Sequence, residues 1–196
     1  TGEKFPKAPV IQGLISFATN TKKPLEDVVR SQFSPDPDML DAIERIAKLY
    51  DKKKRTANSL DFDDMMTRVL ELFEEQPAVL AQYQYQFQFI LVDEYQDTNP
   101  IQSDLINALA GQHGNVMVVG DDAQSIYSWR GADFRNIISF PERFPAAQVF
   151  KIETNYRSRP EILHLANEAI RPNQNQFPKT LRAARDPAKQ KPVLAG

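Results

Sequence analysis

An α/β fold, with a parallel sheet flanked by helices and preceded by a helical region, is predicted by three observations. Phe89-Ile90-Leu91-Val92 and Val116-Met117-Val118-Val119 are short apolar runs without alternation, as expected of strands covered on both faces. Between them lies a helical pattern, Pro100 to Ala110, stopped by Gly111. Strand, helix and strand in that order make a βαβ unit, whose strands pair in parallel. From Asp38 to about Gln86 the periodicity is helical.

Taken in order, the first 37 residues mix Pro6, Pro9, Pro24, Pro35 and Pro37 with short apolar groups such as Leu14-Ile15 and Val28-Val29, and only short helices are predicted there. From Asp38 the positions Leu40, Ile43, Ala47 and Tyr50 follow helical spacing, with Asp36 as N-cap and Pro37 at N1. That helix runs into the basic stretch Lys52-Lys53-Lys54-Arg55, read as a solvated helix end in preference to a phosphate contact. A second helix is predicted with Ser59 as N-cap. It carries Met65, Met66, Val69, Leu72 and Phe73, the two methionines read as core, and ends before Pro77. A third covers Ala78 to about Gln86.

Beyond the βαβ unit, Val149-Phe150-Lys151-Ile152 predicts a third strand. Ser158 with Glu161 predicts a capping box for a helix carrying Ile162, Leu163, Leu165, Ala166, Ala169 and Ile170. After Pro172 the polar run Asn173-Gln174-Asn175-Gln176 predicts a loop or part of an incomplete next domain. No internal repeat is present.

The 196 residues are 41% hydrophobic and 26% charged, which excludes disorder and coiled coil and allows one or two globular domains. No apolar run approaches the roughly 18–20 residues of a membrane span, so a membrane partner is not expected. Cysteine is absent, which excludes disulfides, thiolate metal sites and a cysteine nucleophile and fits a reducing compartment. His113 and His164 have no ligand-like spacing and argue against zinc. With 24 basic and 26 acidic side chains the net charge is −2, so any nucleic-acid contact must use a local patch. Thr1-Gly2-Glu3-Lys4 includes neither an initiator Met nor a signal peptide, and the expectation is an excised piece of a longer chain.

Chemistry concentrates where strands end. The run Phe89 to Val92 leads directly into Asp93-Glu94, and in open α/β sheets ligands collect at the carboxyl ends of strands. An acidic residue there can hold Mg²⁺, and its neighbour can orient or deprotonate water. A strand running into a solvated loop is the bland alternative. Further polar groups follow the next two strands, Gly120-Asp121-Asp122-Ala123-Gln124 and Glu153-Thr154-Asn155-Tyr156-Arg157. Three adjacent strand ends would gather Asp93, Glu94, Gln124 and Arg157 around one cleft. Tyr127 and Trp129 read as core aromatics or, given the interleaved Ser128, Arg130 and Gly131, as an exposed platform. Arg157 alone would read as a structural ion-pair partner.

Val92-Asp93-Glu94-Tyr95-Gln96-Asp97-Thr98-Asn99-Pro100-Ile101-Gln102 resembles motif II, the Walker B element, of the UvrD/Rep/PcrA-type superfamily 1 DNA helicases. Val119 to Ala132 resembles their motif III, Glu153 to Ser158 their motif IV, and Leu60 to Met65 a family signature upstream of motif II. The resemblance is strong from about residue 58 to 170 and looser before that. It implies that Asp93 coordinates the Mg²⁺ of Mg-ATP and that Glu94 activates the hydrolytic water. It further implies that Gln124 senses the γ-phosphate, Arg157 acts on it as an arginine finger and Tyr156 stacks on adenine. Tyr127 and Trp129 would face single-stranded DNA, and Arg130 would link that face to the nucleotide cleft.

None of the seven glycines opens a G-x-x-x-x-G-K-[ST] phosphate loop, and the family's motifs V and VI have no counterpart after Ser158. The resemblance therefore implies a central fragment. Residues 1–57 would be the helical part of a 1B-like subdomain, 58–152 the C-terminal part of a RecA-like ATP-binding 1A-like subdomain, and 153–196 motif IV with the start of a 2A-like subdomain. The implied parent is a cytoplasmic, nucleoid-associated DNA helicase. It would couple Mg-ATP hydrolysis to 3′–5′ translocation on single-stranded DNA and unwind duplex DNA in repair or replication. The fragment alone is expected to be inactive. The rivals are a helicase-nuclease subunit and a DNA-binding or interaction module without turnover.

Overall fold

A computed structural model describes residues 5–188 and 191–192, so the expectation drawn from the first four residues lies outside the described part. The chain divides into two compact units. The first runs to Asp121 and takes in Ser125–Asn136, and the second takes in Asp122–Gln124 and the described residues from Ile137 onward.

The first unit begins with α1 (Ala8–Thr21), α2 (Leu25–Gln32) and α3 (Pro37–Thr56). At 14 residues α1 is longer than the short helices its prolines predict, because Pro9 sits in the first turn, where its missing N–H has no helical partner to lose. Asp36 caps α3 as expected, its side chain accepting the Met39 N–H at 2.7 Å ahead of Pro37. Ile11, Leu14 and Ala18 of α1, Val28 and Val29 of α2, and Met39, Leu40 and Ile43 of α3 form one buried cluster. Val29 and Ile43 are fully buried, each worth about 1.5–3 kcal/mol of transfer free energy.

Helices α4 (Phe62–Glu75) and α5 (Pro77–Gln86) follow, with Gln76 ending one and starting the other. The cap of α4 is Asp61, not Ser59. Asp61 and Asp64 form a reciprocal capping box, while the Ser59 hydroxyl donates to the Ala57 carbonyl at 3.1 Å. Lys54 decides between the two candidates: its Nζ lies 2.7 Å from both Asp61 Oδ2 and Asp64 Oδ2, so it is not part of a solvated helix end. Phe73 is buried as expected, whereas Met65 is exposed and does not belong to the core.

The βαβ unit forms as predicted from β1 (Ile90–Val92), α6 (Pro100–Ala110) and β2 (Val116–Val118), the strands parallel with Ile90 opposite Val116 and Val92 opposite Val118. Asn99 and Gln102 cap α6 reciprocally. The expectation that both sheet faces are covered is not met. Leu91 and Met117 are 74% and 57% exposed, while their strand neighbours are half-buried, so within the described residues one face packs on helices and the other is open. Asn20 of α1 joins the helical layer by donating to Asp63 Oδ1 at 2.7 Å and accepting from Asn99 at 2.8 Å.

Helices α7 (Arg135–Ile138) and α8 (Phe140–Arg143) are single turns. In the second unit the expected strand at Val149–Ile152 is absent. Val149, Phe150 and Ile152 are 54%, 82% and 80% exposed, and without a ladder partner a β-prone run has nothing to pair with. The strand there is β3 (Thr154–Asn155), and after α9 (Pro160–Ile170) it pairs in parallel with β4 (Arg182–Ala183). The segment after Pro172 is thus more than a loop: Asn167 of α9 exchanges hydrogen bonds with Leu181 in both directions, each 3.0 Å, and sets β4 beside β3. The capping box predicted for α9 also fails. Arg159 is the N-cap, and Ser158 instead gives its N–H to Asn155 Oδ1 at 2.7 Å.

Candidate active site

Apolar β1 delivers Asp93 and Glu94 to its carboxyl end, and both are exposed. Asp93 Oδ1 accepts the Glu94 N–H at 2.9 Å. Glu94 has φ 50° and ψ 39°, the left-handed region that costs a non-glycine residue about 1–2 kcal/mol. The neighbours hold it there. Tyr95 is fully buried, its N–H bonds Val119 O at 2.9 Å, and its hydroxyl lies 3.1 Å from Ser103 Oγ on α6. The Thr98 hydroxyl donates to Tyr95 O at 2.7 Å, and the Asp97 N–H to Glu94 O at 2.9 Å. Strain persisting under so many constraints is typical of a functional turn.

Gln96, 1% exposed, fills the space between this turn and the end of β2. Its amide nitrogen donates to Glu94 Oε2 at 2.8 Å and Asp97 Oδ2 at 3.1 Å, and its side-chain oxygen accepts the Asp121 N–H at 3.0 Å. The Ser125 hydroxyl donates to its backbone oxygen at 3.3 Å. Gln96 has no role of its own in the sequence motif, and its only sequence signal is its place two residues after the acidic pair.

Further along, Tyr127 and Trp129 are 38% and 65% exposed, which removes the core reading of the tryptophan. Their rings lie 6.5 Å apart at 51°, and the Arg130 guanidinium stands 4.5 Å from the Trp129 ring centre and 5.4 Å from that of Tyr127. Cation and rings thus make one exposed surface. Gly131, at φ 87°, closes the turn behind them, and a Cβ there would lie 3.2 Å from Thr21 Cγ2 and 3.3 Å from Asn20 Cβ.

The remaining predicted residues belong to the second unit. Gln124 ends the short 3₁₀ turn Asp122–Gln124 and is exposed, and in the same turn buried Asp122 takes Lys179 Nζ at 3.2 Å. Tyr156 and Arg157 follow β3 directly and are exposed. Asn155 Oδ1 accepts the Arg157 N–H at 3.0 Å, and the Arg157 guanidinium forms no ion pair among the described residues, contrary to a structural ion-pair role. The expected row of three adjacent strand ends is corrected: β1 and β2 make one two-stranded sheet, whereas β3 pairs with β4 in another. Among the described residues, Asp93 and Glu94 share their sheet edge with the end of β2.

As for metal, no cluster of three or more His, Cys, Asp or Glu side chains able to hold an ion occurs among the described residues. The hard carboxylate of Asp93 nevertheless fits Mg²⁺, which is commonly held by one or two carboxylates completed by substrate phosphates and water.

An α/β segment with an acidic pair at a strand end and an aromatic-cationic surface on the loop after the next strand is the class defined so far. Residues 3–145 match the UvrD/REP helicase N-terminal domain, and the chain belongs to that family. It is 50% identical over 137 residues to the ATP-dependent DNA helicase PcrA of Bacillus subtilis (strain 168), covering 70% of this chain and 18% of that protein. The PcrA of Staphylococcus epidermidis (strain ATCC 12228 / FDA PCI 1200) is 43% identical over 172 residues, 88% of this chain and 23% of that protein. The chain spans about a fifth of the length of the curated relatives it matches. No helix among the described residues is long and apolar enough to cross a membrane.

Proposed function

We propose that this chain is the central segment of an ATP-dependent DNA helicase that couples Mg-ATP hydrolysis to 3′–5′ movement along single-stranded DNA and separates duplexes in the cytoplasm. The observation that carries this reading is the Asp93-Glu94 turn, with Glu94 in the left-handed region and its carboxylate held by buried Gln96. Kinship with proteins named ATP-dependent DNA helicase supports it.

Asp93 would hold the metal, and bound Mg²⁺ supplies charge neutralisation at phosphate oxygens. Glu94 would take the proton of the attacking water. Gln124 and Arg157 would face the γ-phosphate and Tyr156 the adenine. Tyr127 and Trp129 would bind single-stranded DNA by stacking, which reads no sequence, and Arg130 would link that DNA face to the nucleotide. Residues 58–152 would belong to a RecA-like ATP-binding subdomain, with 1–57 from a 1B-like and 153–196 from a 2A-like neighbour. The open sheet face bearing Leu91 and Met117 fits a segment with further layers around it in a longer protein.

Steady-state hydrolysis by the full-length protein, with and without single-stranded DNA, tests the reading. DNA-stimulated turnover that Glu94→Gln abolishes is expected, and DNA binding without turnover would favour an interaction module. DNA-end degradation beside unwinding would favour a helicase-nuclease subunit. The 196-residue chain alone should turn over no ATP, because it contains no phosphate-loop sequence.

A further inference from the structure

We propose that Gln96 is the positioning residue of the hydrolytic carboxylate, fixing the Glu94 side chain so that one oxygen is occupied and the other is presented to water. The inference rests on the reading of Glu94 as general base.

Glutamine is seldom buried unless its amide is satisfied, and Gln96 at 1% exposure is satisfied on both sides. Its nitrogen serves two carboxylates, Glu94 Oε2 at 2.8 Å and Asp97 Oδ2 at 3.1 Å, while its oxygen takes the Asp121 N–H at 3.0 Å. This arrangement has one orientation. Turned over, the amide would set its oxygen against two anions and its nitrogen against an N–H donor. The Asp121 contact therefore fixes which end of the amide faces Glu94.

Glu94 needs such a partner because its side chain is exposed, and among the described residues Gln96 alone bonds its carboxylate. A neutral amide donor to a carboxylate is a charge-assisted bond that keeps the anion directed. With Oε2 occupied, Oε1 accepts no hydrogen bond from the described residues and is the oxygen available to water. Gln96 acts through Glu94 and touches no substrate.

Two substitutions in the full-length protein separate positioning from bulk structure. Gln96→Met keeps the volume and removes donors and acceptor. Gln96→Glu keeps an acceptor for the Asp121 N–H, removes the donors facing Glu94 and Asp97, and sets a carboxyl group against those two carboxylates. Each should lower kcat by about 10²-fold, the usual cost of a misplaced catalytic group, with KM for ATP and affinity for a non-hydrolysable ATP analogue within about threefold of wild type. In a Glu94→Gln background neither change should lower the residual rate further. Near-wild-type kcat in a variant that binds the analogue would overturn the proposal. So would an equal loss of rate in the Glu94→Gln background, or loss of nucleotide binding in both variants, since each marks a purely structural role. If Glu94→Gln alone retains kcat, the general-base reading has failed and this proposal with it. Loss in Glu94→Gln beside full activity in the Gln96 variants sinks the proposal alone.

Discussion

Lys54 Nζ lies 2.7 Å from Asp61 Oδ2, joining the end of α3 to the cap of α4 through a lysine side chain only 16% exposed. The same nitrogen reaches Asp64 Oδ2 at 2.7 Å and sits 4.7 Å from the Tyr50 ring centre, while the Tyr50 hydroxyl donates to Asp61 at 3.0 Å. Burial pushes the Asp61 carboxyl up, but hydrogen bonds from Lys54, the Asp64 N–H and Tyr50 outweigh it and pull the group down to about 2.

Because the folded value lies below the ordinary 3.8, Asp61 contributes stability that is fully present above that value and lost as pH falls toward 2. Lys54→Met should lower stability at pH 7 by a part of the roughly 2 kcal/mol linkage equivalent of the whole shift, since the Asp64 N–H and the Tyr50 hydroxyl still bond Asp61. The gap to wild type should close as pH falls from 4 to 2. Melting temperatures across that interval check it, and an undiminished gap at low pH would exclude the ion cluster as the source.

Asp93 and Glu94 are adjacent yet should fail differently in the full-length protein. Glu94→Gln keeps the shape but cannot accept a proton, so hydrolysis should drop by about 10²–10⁴ with nucleotide binding retained. Asp93→Ala should weaken Mg²⁺-dependent binding as well. Titrating a fluorescent ATP analogue with and without Mg²⁺ distinguishes them, and equal binding losses would show the roles to be misassigned.

Trp129 is 65% exposed, so its removal should cost little fold stability. Trp129→Ala in the full-length protein should weaken single-strand binding by about 1–3 kcal/mol, with little dependence on base sequence. A packed tryptophan would instead cost about 3–5 kcal/mol of stability. Melting beside a DNA titration decides: a large melting loss with a uniform loss of function would rule out stacking.

Gly131→Ala should destabilise the turn behind that surface by about 1–3 kcal/mol, because φ 87° is strained for alanine and the new methyl would meet Thr21 and Asn20. Thermal melting measures it. Unchanged stability would mean that the turn relaxes freely.

Local chemistry made much of this protein legible in its sequence. Asp36-Pro37 begins α3 because a carboxylate cap and a proline at N1 act within one turn. The βαβ order follows from apolar runs around one periodic segment, and the Asp93-Glu94 pair and the Tyr127 to Gly131 loop can be located by motif. Each signal lies within a few residues of what it specifies.

Tertiary structure decided the rest. Asp61 caps α4 in place of Ser59 because Lys54 folds back onto it, and Val149–Ile152 is no strand because pairing depends on a partner strand that periodicity cannot supply. Asn20 meets Asp63 and Asn99 across 43 and 79 residues, and Gln96 meets Asp121 across 25. Such contacts have no spacing rule, because chain closure alone brings the polar atoms together. Burial then makes the pairing obligatory, since a polar group removed from water must find its hydrogen bonds within the protein.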